Sequence, residues 1–246
     1  MRTISTKPVL LAALSACDKA WSAQGLQALL HEVHVRLLEV RVKFPLLEFA
    51  GHHFAKLLPV KEHVPFCKGI ATRGTEGGNV LIGILLQEGL DKRYNASLEQ
   101  AAAFIAQGNA WYVCDIIGER VWGVALLRYP GKTLQALQDL SRHPAPLVIR
   151  SLGAGMHYAV KKGLPAAEVK TVLELLLSLR GSKNQEVKQG IGWAAKTCAR
   201  FHPGIIEDFR QQIEAPETPA WFRKKIQIGL ERNRYATREK STVGTE

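Results

Sequence analysis

Apolar side chains recur along this chain at intervals of three and four residues, which is the spacing of one face of an α-helix. The clearest stretches run from Leu26 to Leu38 and from Val169 to Leu177. Alanine, leucine, glutamine, glutamate and lysine, which are good helix formers, dominate these stretches. Alternation of apolar and polar residues with a period of two is almost absent, so strands are not expected. The pattern predicts an all-α protein.

Proline and glycine interrupt the helical stretches and mark the expected helix boundaries. The breaks fall at Pro59, Pro65, Gly74 to Gly78, Pro130-Gly131, Pro144 with Pro146, Gly163 with Pro165, and Pro203-Gly204. They leave helices of about 12 to 18 residues, which we expect to form antiparallel pairs. Three breaks are alike in sequence and lie roughly 35 to 40 residues apart, near the period of HEAT-type helical repeats. These three are Arg128 to Gly131, Lys162 to Pro165, and Phe201 to Gly204.

This repeat predicts an α-α superhelix of HEAT-like helical repeats with one concave face, on which residues about one period apart meet. A stack of repeats counts as one continuous domain, so we expect residues 1–235 to form a single solenoid. The segment 236–246 is polar and has no apolar face, which predicts a disordered tail.

Basic residues outnumber acidic ones by 33 to 22, which gives a net charge of +11 and an isoelectric point near 9.6. This excess favours a polyanionic partner such as nucleic acid. The segment from Ile117 to Arg200 holds 13 basic and 5 acidic residues and could follow a phosphate backbone. A solvated helix surface is the alternative explanation for any single lysine. No apolar run reaches the ~18 residues of a membrane span, so no membrane partner is expected.

The four cysteines lie far apart and form no CxxC pair, which excludes a disulfide framework and a zinc site as interpretations. We expect each to be a small buried apolar residue in a reducing compartment. The stretch that ends at Leu14 to Cys17 is similar to a lipoprotein cleavage site, but it runs on into helical patterning. We therefore expect a cytoplasmic protein.

Three segments carry candidate chemistry. In the first, Trp111 and Asp115 are four residues apart and share one face of a helix. A carboxylate beside an aromatic plane stabilises a positive centre. The alternative interpretation of the same two residues is a carboxylate at a helix start and a tryptophan in the core. In the second, Arg150 interrupts an apolar helix about 35 residues later and needs a carboxylate or phosphate partner, unless it reaches solvent.

The third segment runs from Val187 to Ala194 and contains Gly190, Gly192 and Trp193. A glycine inside a helix costs roughly 1 kcal/mol relative to alanine. Two of them here would allow close approach of another helix or of a ligand backbone. Trp193 is then either a packing anchor or an aromatic surface that touches a ligand.

In this order and spacing, the three segments resemble the AlkD family of DNA glycosylases, closely from about Asn79 to Phe209 and more loosely on either side. The family pattern is a tryptophan followed four residues on by an aspartate, an arginine one repeat later, and then an Ile-Gly-Trp segment. Trp111, Asp115, Arg150 and Ile191 to Trp193 match it. The first helices depart from the family, because His31 to Arg36 lacks the aromatic residue that often reaches the DNA there.

The resemblance implies an α-α superhelix of HEAT-like repeats with a concave basic face that holds duplex DNA. It implies a monofunctional glycosylase that hydrolyses the N-glycosidic bond of cationic N3- and N7-alkylpurines in this DNA, with no metal and no cofactor. It implies that Trp111 and Trp193 line the sugar and backbone of the damaged nucleotide. It further implies that Asp115 stabilises the developing oxocarbenium ion and positions the water, and that Arg150 holds a phosphate. We predict six further DNA-binding residues: Lys188, Gln189, Lys161, Lys162, Arg142 and Lys196. The pair His52-His53 is interpreted as a DNA-facing or solvent-facing surface.

These expectations describe a monomer that acts in base excision repair on chromosomal DNA in the cytoplasm. Two other interpretations remain open: a non-catalytic helical-repeat module that binds damaged or branched DNA, and a protein-binding scaffold. The scaffold would show no salt-dependent affinity for DNA. The non-catalytic module would not need Asp115.

Overall fold

The computed structural model describes residues 3–233, which fall into two compact units with their boundary between Phe104 and Ile105. Both units consist almost entirely of helices, which confirms the all-α prediction. None of the helices within the described residues combines the length and the apolar character that a membrane span requires. The tail predicted for 236–246 lies outside the described residues, and the single solenoid over 1–235 stays a prediction.

The described part of the first unit contains five complete helices, the larger part of a sixth, and one very short strand pair. The elements are β1 (Thr3–Ile4), α1 (Lys7–Gln24), α2 (Leu26–Val33), a π-helical turn (His34–Leu38), β2 (Arg41–Val42), α3 (Phe44–Leu57), α4 (Val60–Ala71) and α5 (Glu76–Glu88). The two strands pair in parallel over two residues each, and they are the small exception to the helix-only expectation. Helix α5 packs against α3 and α4, and the buried rings of Phe54 and Phe66 lie 5.4 Å apart between their centroids. Helix α6 (Tyr94–Gly108) contains the unit boundary.

Two of the predicted breaks in this unit are wrong in part. Pro65 lies inside α4 rather than between helices. Proline removes one helical hydrogen bond, but the burial of Phe66 and Ile70 on the same helix keeps the segment helical. The break at Gly74 is real, since its φ is +61°, yet Gly77 and Gly78 already belong to α5. The hydroxyl of Thr75 accepts a bond from the Gly78 amide and fixes the start of that helix.

The second unit forms two rows of helices. The elements are α7 (Trp111–Gly118), a π-helical turn (Glu119–Gly123), α8 (Val124–Arg128), α9 (Pro130–Leu140), α10 (Pro146–Lys162), α11 (Ala166–Ser178), α12 (Gln185–Phe201), α13 (Pro203–Asp208), α14 (Arg210–Glu214) and α15 (Ala220–Glu231). In one row α7 packs on α10, α10 on α12, and α12 on α15. In the other row α9 packs on α11, and α11 on α13.

The backbone leaves the helical conformation at the three related breaks, as predicted. Tyr129 and His202 adopt φ values near −139° and −137°, and Gly163 adopts the left-handed value of +102°. The breaks at Gly163 and His202 each lie between a helix of the first row and one of the second, and the break at Tyr129 lies between α8, which packs on α10, and α9. This order is that of a helical-repeat stack, and the assignment to the HEAT class itself stays a prediction.

Glycines bring the helices of the first row into backbone contact. A methyl group on Gly190 would lie 2.2 Å from the carbonyl oxygen of Arg150, and one on Gly153 would lie 2.1 Å from that of Gly190. A methyl group on Gly229 of α15 would likewise lie 2.3 Å from the carbonyl oxygen of Lys196. The predicted close approach of another helix at Gly190 is therefore confirmed, and it sets side chains of α10 and α12 side by side.

Candidate active site

Trp111 stands at the first position of α7 with 59% of its surface exposed. The chain turns sharply before it, because Asn109 has a φ of +43° and Ala110 is extended. The ring of Tyr112 packs edge-on against the indole at a centroid distance of 5.9 Å. An exposed, braced aromatic plane at a helix start is available to a ligand, which is not the arrangement of a core tryptophan.

Asp115 lies one turn further along α7 and bonds to Arg150 of α10 through both carboxylate oxygens. Arg150 donates from Nε to Oδ1 at 3.1 Å and from Nη2 to Oδ2 at 2.8 Å. This two-point contact fixes the plane of the carboxylate as well as its position. The partner that Arg150 needs inside its apolar helix is therefore a carboxylate.

Glu186 of α12 completes the site, and the sequence analysis missed it. Arg150 donates from Nη1 to Glu186 Oε2 at 2.7 Å, so each of its three nitrogens bonds to a carboxylate. Glu186 lies 36 residues after Arg150, and Arg150 lies 35 residues after Asp115. The repeat period could have identified Glu186, because it occupies the position that follows Asp115 and Arg150 in the series.

Trp111 joins these three side chains, and the four together are called the Arg150 cluster below. The guanidinium carbon of Arg150 lies 5.8 Å from the centroid of the Trp111 ring, within the range of a cation–π contact. Trp111 and Asp115 are thus on one face of α7, as predicted. The structure brings three of the four predicted catalytic residues into contact.

Burial and charge set the electrostatics of the Arg150 cluster. The side chains of Arg150 and Asp115 are only 12% and 16% exposed, whereas Glu186 is 44% exposed. Burial acts to lower the pKa of Arg150, but the bonds to Asp115 and Glu186 outweigh it and raise that pKa. With two carboxylates and one guanidinium, the cluster carries one net negative charge. The cluster is therefore a local negative charge in a protein whose net charge is +11.

Cys114 is next to Asp115 in sequence but is not a nucleophile. Its thiol is buried and lies 3.3 Å from the carbonyl oxygen of Ala110. Burial raises its pKa to about 12, so the thiolate is not formed near neutrality. All four cysteines are buried free thiols, which confirms the burial expected for them, and the reducing compartment stays a prediction.

Trp193, the fourth predicted catalytic residue, lies elsewhere on the same pair of helices. It is two turns of α12 beyond Glu186 and stacks on His157 of α10, with ring centroids 4.0 Å apart and planes at 26°. His157 Nδ1 lies 2.7 Å from the hydroxyl of Thr197, which in turn donates to the carbonyl oxygen of Trp193. Burial, with the charges of Lys161, Lys196 and Arg200, lowers the pKa of His157 to about 4.

The six predicted DNA-binding residues are not all in one place. Lys161 and Lys196 line a cavity with Trp193. Lys162 lies at the end of α10 with its ammonium 5.7 Å from the centroid of the Tyr158 ring. Arg142 follows α9 in the second row and bonds to Asp139 at 2.7 Å, away from the row that carries the Arg150 cluster.

The remaining two, Lys188 and Gln189, lie in the first turns of α12, where Lys188 is half-buried and Gln189 is exposed. The hydrogen bonds described above for the Arg150 cluster involve neither of these two residues.

The family model for DNA alkylation repair enzymes matches residues 77–225. This is more than half of the chain. The chain belongs to the DNA alkylation repair enzyme family. No curated protein and no solved structure was found to match it.

The region that places the chain in the DNA alkylation repair family includes both parts of the site. It contains all four residues of the Arg150 cluster as well as His157 and Trp193. Membership gives the protein a role in DNA repair as an enzyme, and it points to DNA as the partner. The lesion and the bond that is broken have to be argued from the site.

Proposed function

We propose that this protein is a DNA glycosylase that hydrolyses the N-glycosidic bond of cationic N3- and N7-alkylpurines in duplex DNA. One observation carries the proposal: Asp115 is held in a fixed plane by Arg150, beside the exposed face of Trp111. A rigid carboxylate next to an aromatic plane is suited to a positive charge that develops on a bound group.

The reaction needs such a charge stabiliser and little else. Alkylation at N3 or N7 makes the purine cationic, so when the C1′–N bond breaks its electron pair neutralises the leaving base. Positive charge then accumulates on C1′ and the ring oxygen of the sugar, as in glycoside hydrolysis. The oxygen of a water molecule bonds to C1′, and the proton it loses passes to the Asp115 carboxylate or to solvent.

The charge count of the cluster supports this chemistry. A lone Asp115–Arg150 pair would be neutral, and Arg150 would cancel the attraction that the carboxylate exerts on the sugar. Glu186 compensates the guanidinium, so that one negative charge remains at the site. Trp111 extends over the same guanidinium with most of its surface open to a ligand. The cluster is thus anionic and accessible at once.

The test is the release of 7-methylguanine and 3-methyladenine from methylated duplex DNA, measured under single-turnover conditions. Asp115→Asn should slow release roughly 100- to 1000-fold, the usual cost of removing one preorganised electrostatic group. Asp139→Asn is the matched control, because this aspartate also pairs with an arginine but is 63% exposed. The control should release base at the wild-type rate, and both variants should bind duplex DNA.

The outcomes separate the interpretations. If the wild type binds DNA in a salt-dependent manner but releases neither base, the protein is the non-catalytic DNA-binding module. If it shows no salt-dependent affinity for DNA, it is a protein-binding scaffold. If Asp115→Asn releases base as fast as Asp139→Asn, the assigned role of Asp115 is wrong. The proposal includes two expectations from the sequence that stay predictions, namely a monomeric state and action on chromosomal DNA in the cytoplasm.

A further inference from the structure

Glu186 is the second residue of α12, and the start of that helix fixes its position. The side-chain oxygen of Asn184 accepts bonds from the backbone amides of Glu186 and Val187 at 2.9 and 3.3 Å, which caps the helix. One turn later, Gly190 lies against the backbone of Arg150. Glu186 and Gly190 are four residues apart and share the face of α12 that packs on α10. The backbone therefore places the Glu186 carboxylate beside Arg150.

Glu186 and Asp115 bind different parts of the same guanidinium. Glu186 accepts from Nη1 of Arg150 at 2.7 Å, whereas Asp115 accepts from Nε and Nη2. A guanidinium has five N–H donors, so these three bonds leave two donors for another acceptor. Arginine is also well suited to bind phosphate. In a protein whose partner is DNA, a backbone phosphate therefore competes with the two carboxylates for Arg150.

The charge of Glu186 acts on both sides of this competition. With it, the Arg150 cluster carries one net negative charge, which repels a phosphate. Without it, the cluster would be neutral and Arg150 would attract a phosphate more strongly. The guanidinium would also offset the attraction of the Asp115 carboxylate for a cationic sugar. A carboxylate at this position therefore disfavours DNA binding and favours the stabilisation of a positive charge.

We propose that Glu186 is a positioning residue for base release: its charge keeps the Arg150 guanidinium bound to carboxylates rather than to a DNA phosphate, and leaves the negative charge of Asp115 available to the sugar. The inference rests on the proposed function, because it concerns the same reaction. Glu186 acts through Arg150 and not on the sugar itself. Removal of its charge should therefore lower the rate of base release and raise the affinity for DNA, two effects of opposite direction.

The test variant is Glu186→Gln, which removes the charge and keeps the size of the side chain and an oxygen that accepts from Nη1. Single-turnover release of 7-methylguanine from methylated duplex DNA should fall roughly 10- to 100-fold, as when outer partners that orient a metal ligand are changed. Affinity for an undamaged duplex, measured by fluorescence anisotropy, should rise by up to about fivefold at 150 mM salt, the contribution of one phosphate contact.

The conservative variant and the control separate charge from other effects. Glu186→Asp keeps the charge on a side chain one methylene shorter, so it should release base faster than Glu186→Gln and keep the wild-type affinity for DNA. The control is Glu217→Gln, which removes the same formal charge from a glutamate 4.0 Å from Arg180 and 66% exposed. This control should release base at the wild-type rate, and its change in affinity measures the effect of net charge alone.

A double variant tests whether Glu186 acts through Arg150. In the Arg150→Met background no guanidinium is left to balance, so Glu186→Gln should slow base release little further. A purely structural contribution of Glu186 to the start of α12 would persist in that background. A further slowing as large as that in the wild type would therefore overturn the inference.

Three other results would also contradict it. Base release by Glu186→Gln at the rate of Glu217→Gln would show that the charge of Glu186 does not act on the reaction. A fall in DNA affinity together with the rate would indicate a damaged structure, and a Glu186→Asp variant as slow as Glu186→Gln would assign the effect to bond geometry.

The same measurements distinguish a failure of this inference from a failure of the proposed function. If Asp115→Asn slows base release and Glu186→Gln does not, the proposed function stands and the inference is wrong. If the wild type releases no base, the proposed function is wrong, and with it the part of the inference that concerns the rate. The affinity of Glu186→Gln relative to Glu217→Gln then still decides whether Glu186 keeps Arg150 from a DNA phosphate.

Discussion

Replacing Arg150 with methionine removes the cation that separates the carboxylates of Asp115 and Glu186. Methionine keeps much of the length and apolar contact of the arginine stem, so the change acts mainly on charge and hydrogen bonds. It deletes three hydrogen bonds of 2.7 to 3.1 Å to charged acceptors. Two carboxylates are then left facing each other with no cation between them.

The expected magnitude follows from burial. Breaking a buried ion pair by removing one partner costs about 3 to 5 kcal/mol. Asp115 is only 16% exposed and will bear most of that cost. Glu186 is 44% exposed and can turn toward water, which lowers the total. We therefore expect Arg150→Met to reduce the free energy of unfolding by about 2 to 3 kcal/mol.

The chain offers a matched control in Arg210. This arginine also stands between two glutamates, Glu207 and Glu214, but its side chain is 59% exposed. Exposed ion pairs contribute little, so Arg210→Met should leave the free energy of unfolding unchanged within error. Urea unfolding at pH 7, followed by circular dichroism, measures both variants against the wild type.

A double variant tests the cause. Asp115→Asn introduced into Arg150→Met removes the charge that has lost its partner, so the two changes together should cost less than the sum of each alone. Equal stability of Arg150→Met and Arg210→Met would refute the reasoning, because Arg150 would then contribute no more than a surface charge. Strict additivity in the double variant would show that Asp115 and Arg150 do not interact.

Two further predictions concern the helix contact and the stacked pair. Gly190→Ala should destabilise the protein by about 3 kcal/mol in the same urea assay, because the added methyl group would lie 2.2 Å from the Arg150 carbonyl oxygen. The control is Gly204→Ala, which has open space around it and should not lower the free energy of unfolding. An equal loss of stability in the two variants would contradict the tight contact at Gly190. His157→Phe should flatten the acid side of the stability profile. The folded pKa of about 4 lies below the usual 6.5, so the unfolded chain takes up the proton first and the wild type loses roughly 2 to 3 kcal/mol as the pH falls from 6.5 to 4. Parallel profiles for the wild type and His157→Phe would argue against a neutral, buried His157.

The sequence predicted those features that depend on local spacing. The helix breaks near Pro130, Gly163 and Pro203 follow from backbone preferences of single residues, and all three occur. Trp111 and Asp115 share a face because they are four residues apart on one helix. Pro65 shows the limit of this reasoning, since tertiary burial of its neighbours overrides its local tendency to end a helix.

Features that depend on contacts between helices were predicted less well. A buried arginine such as Arg150 needs an anionic partner, but the amino-acid sequence does not show whether that partner is Asp115, Glu186 or a phosphate. His157 has an apolar neighbourhood in the sequence, and only the packing of α10 on α12 shows that it stacks on Trp193. Arg232 was not considered as a functional residue, because its proximity to Lys196 arises from the packing of α15 on α12.

The repeat period also relates the Arg150 cluster to the cavity beside Trp193. Asp115, Arg150 and Glu186 follow one another at intervals of 35 and 36 residues. Lys161, Lys196 and Arg232 also follow one another at intervals of 35 and 36 residues, and all three line the cavity beside Trp193. Helices that stack at a constant offset place equivalent positions side by side, so the three members of each series lie close together. The first series carries the carboxylates that suit a cationic sugar, and the second carries three cations. Asp115→Asn acts on the first series and leaves the three cations in place, so a loss of base release in this variant without a loss of DNA affinity would show that the two series act separately.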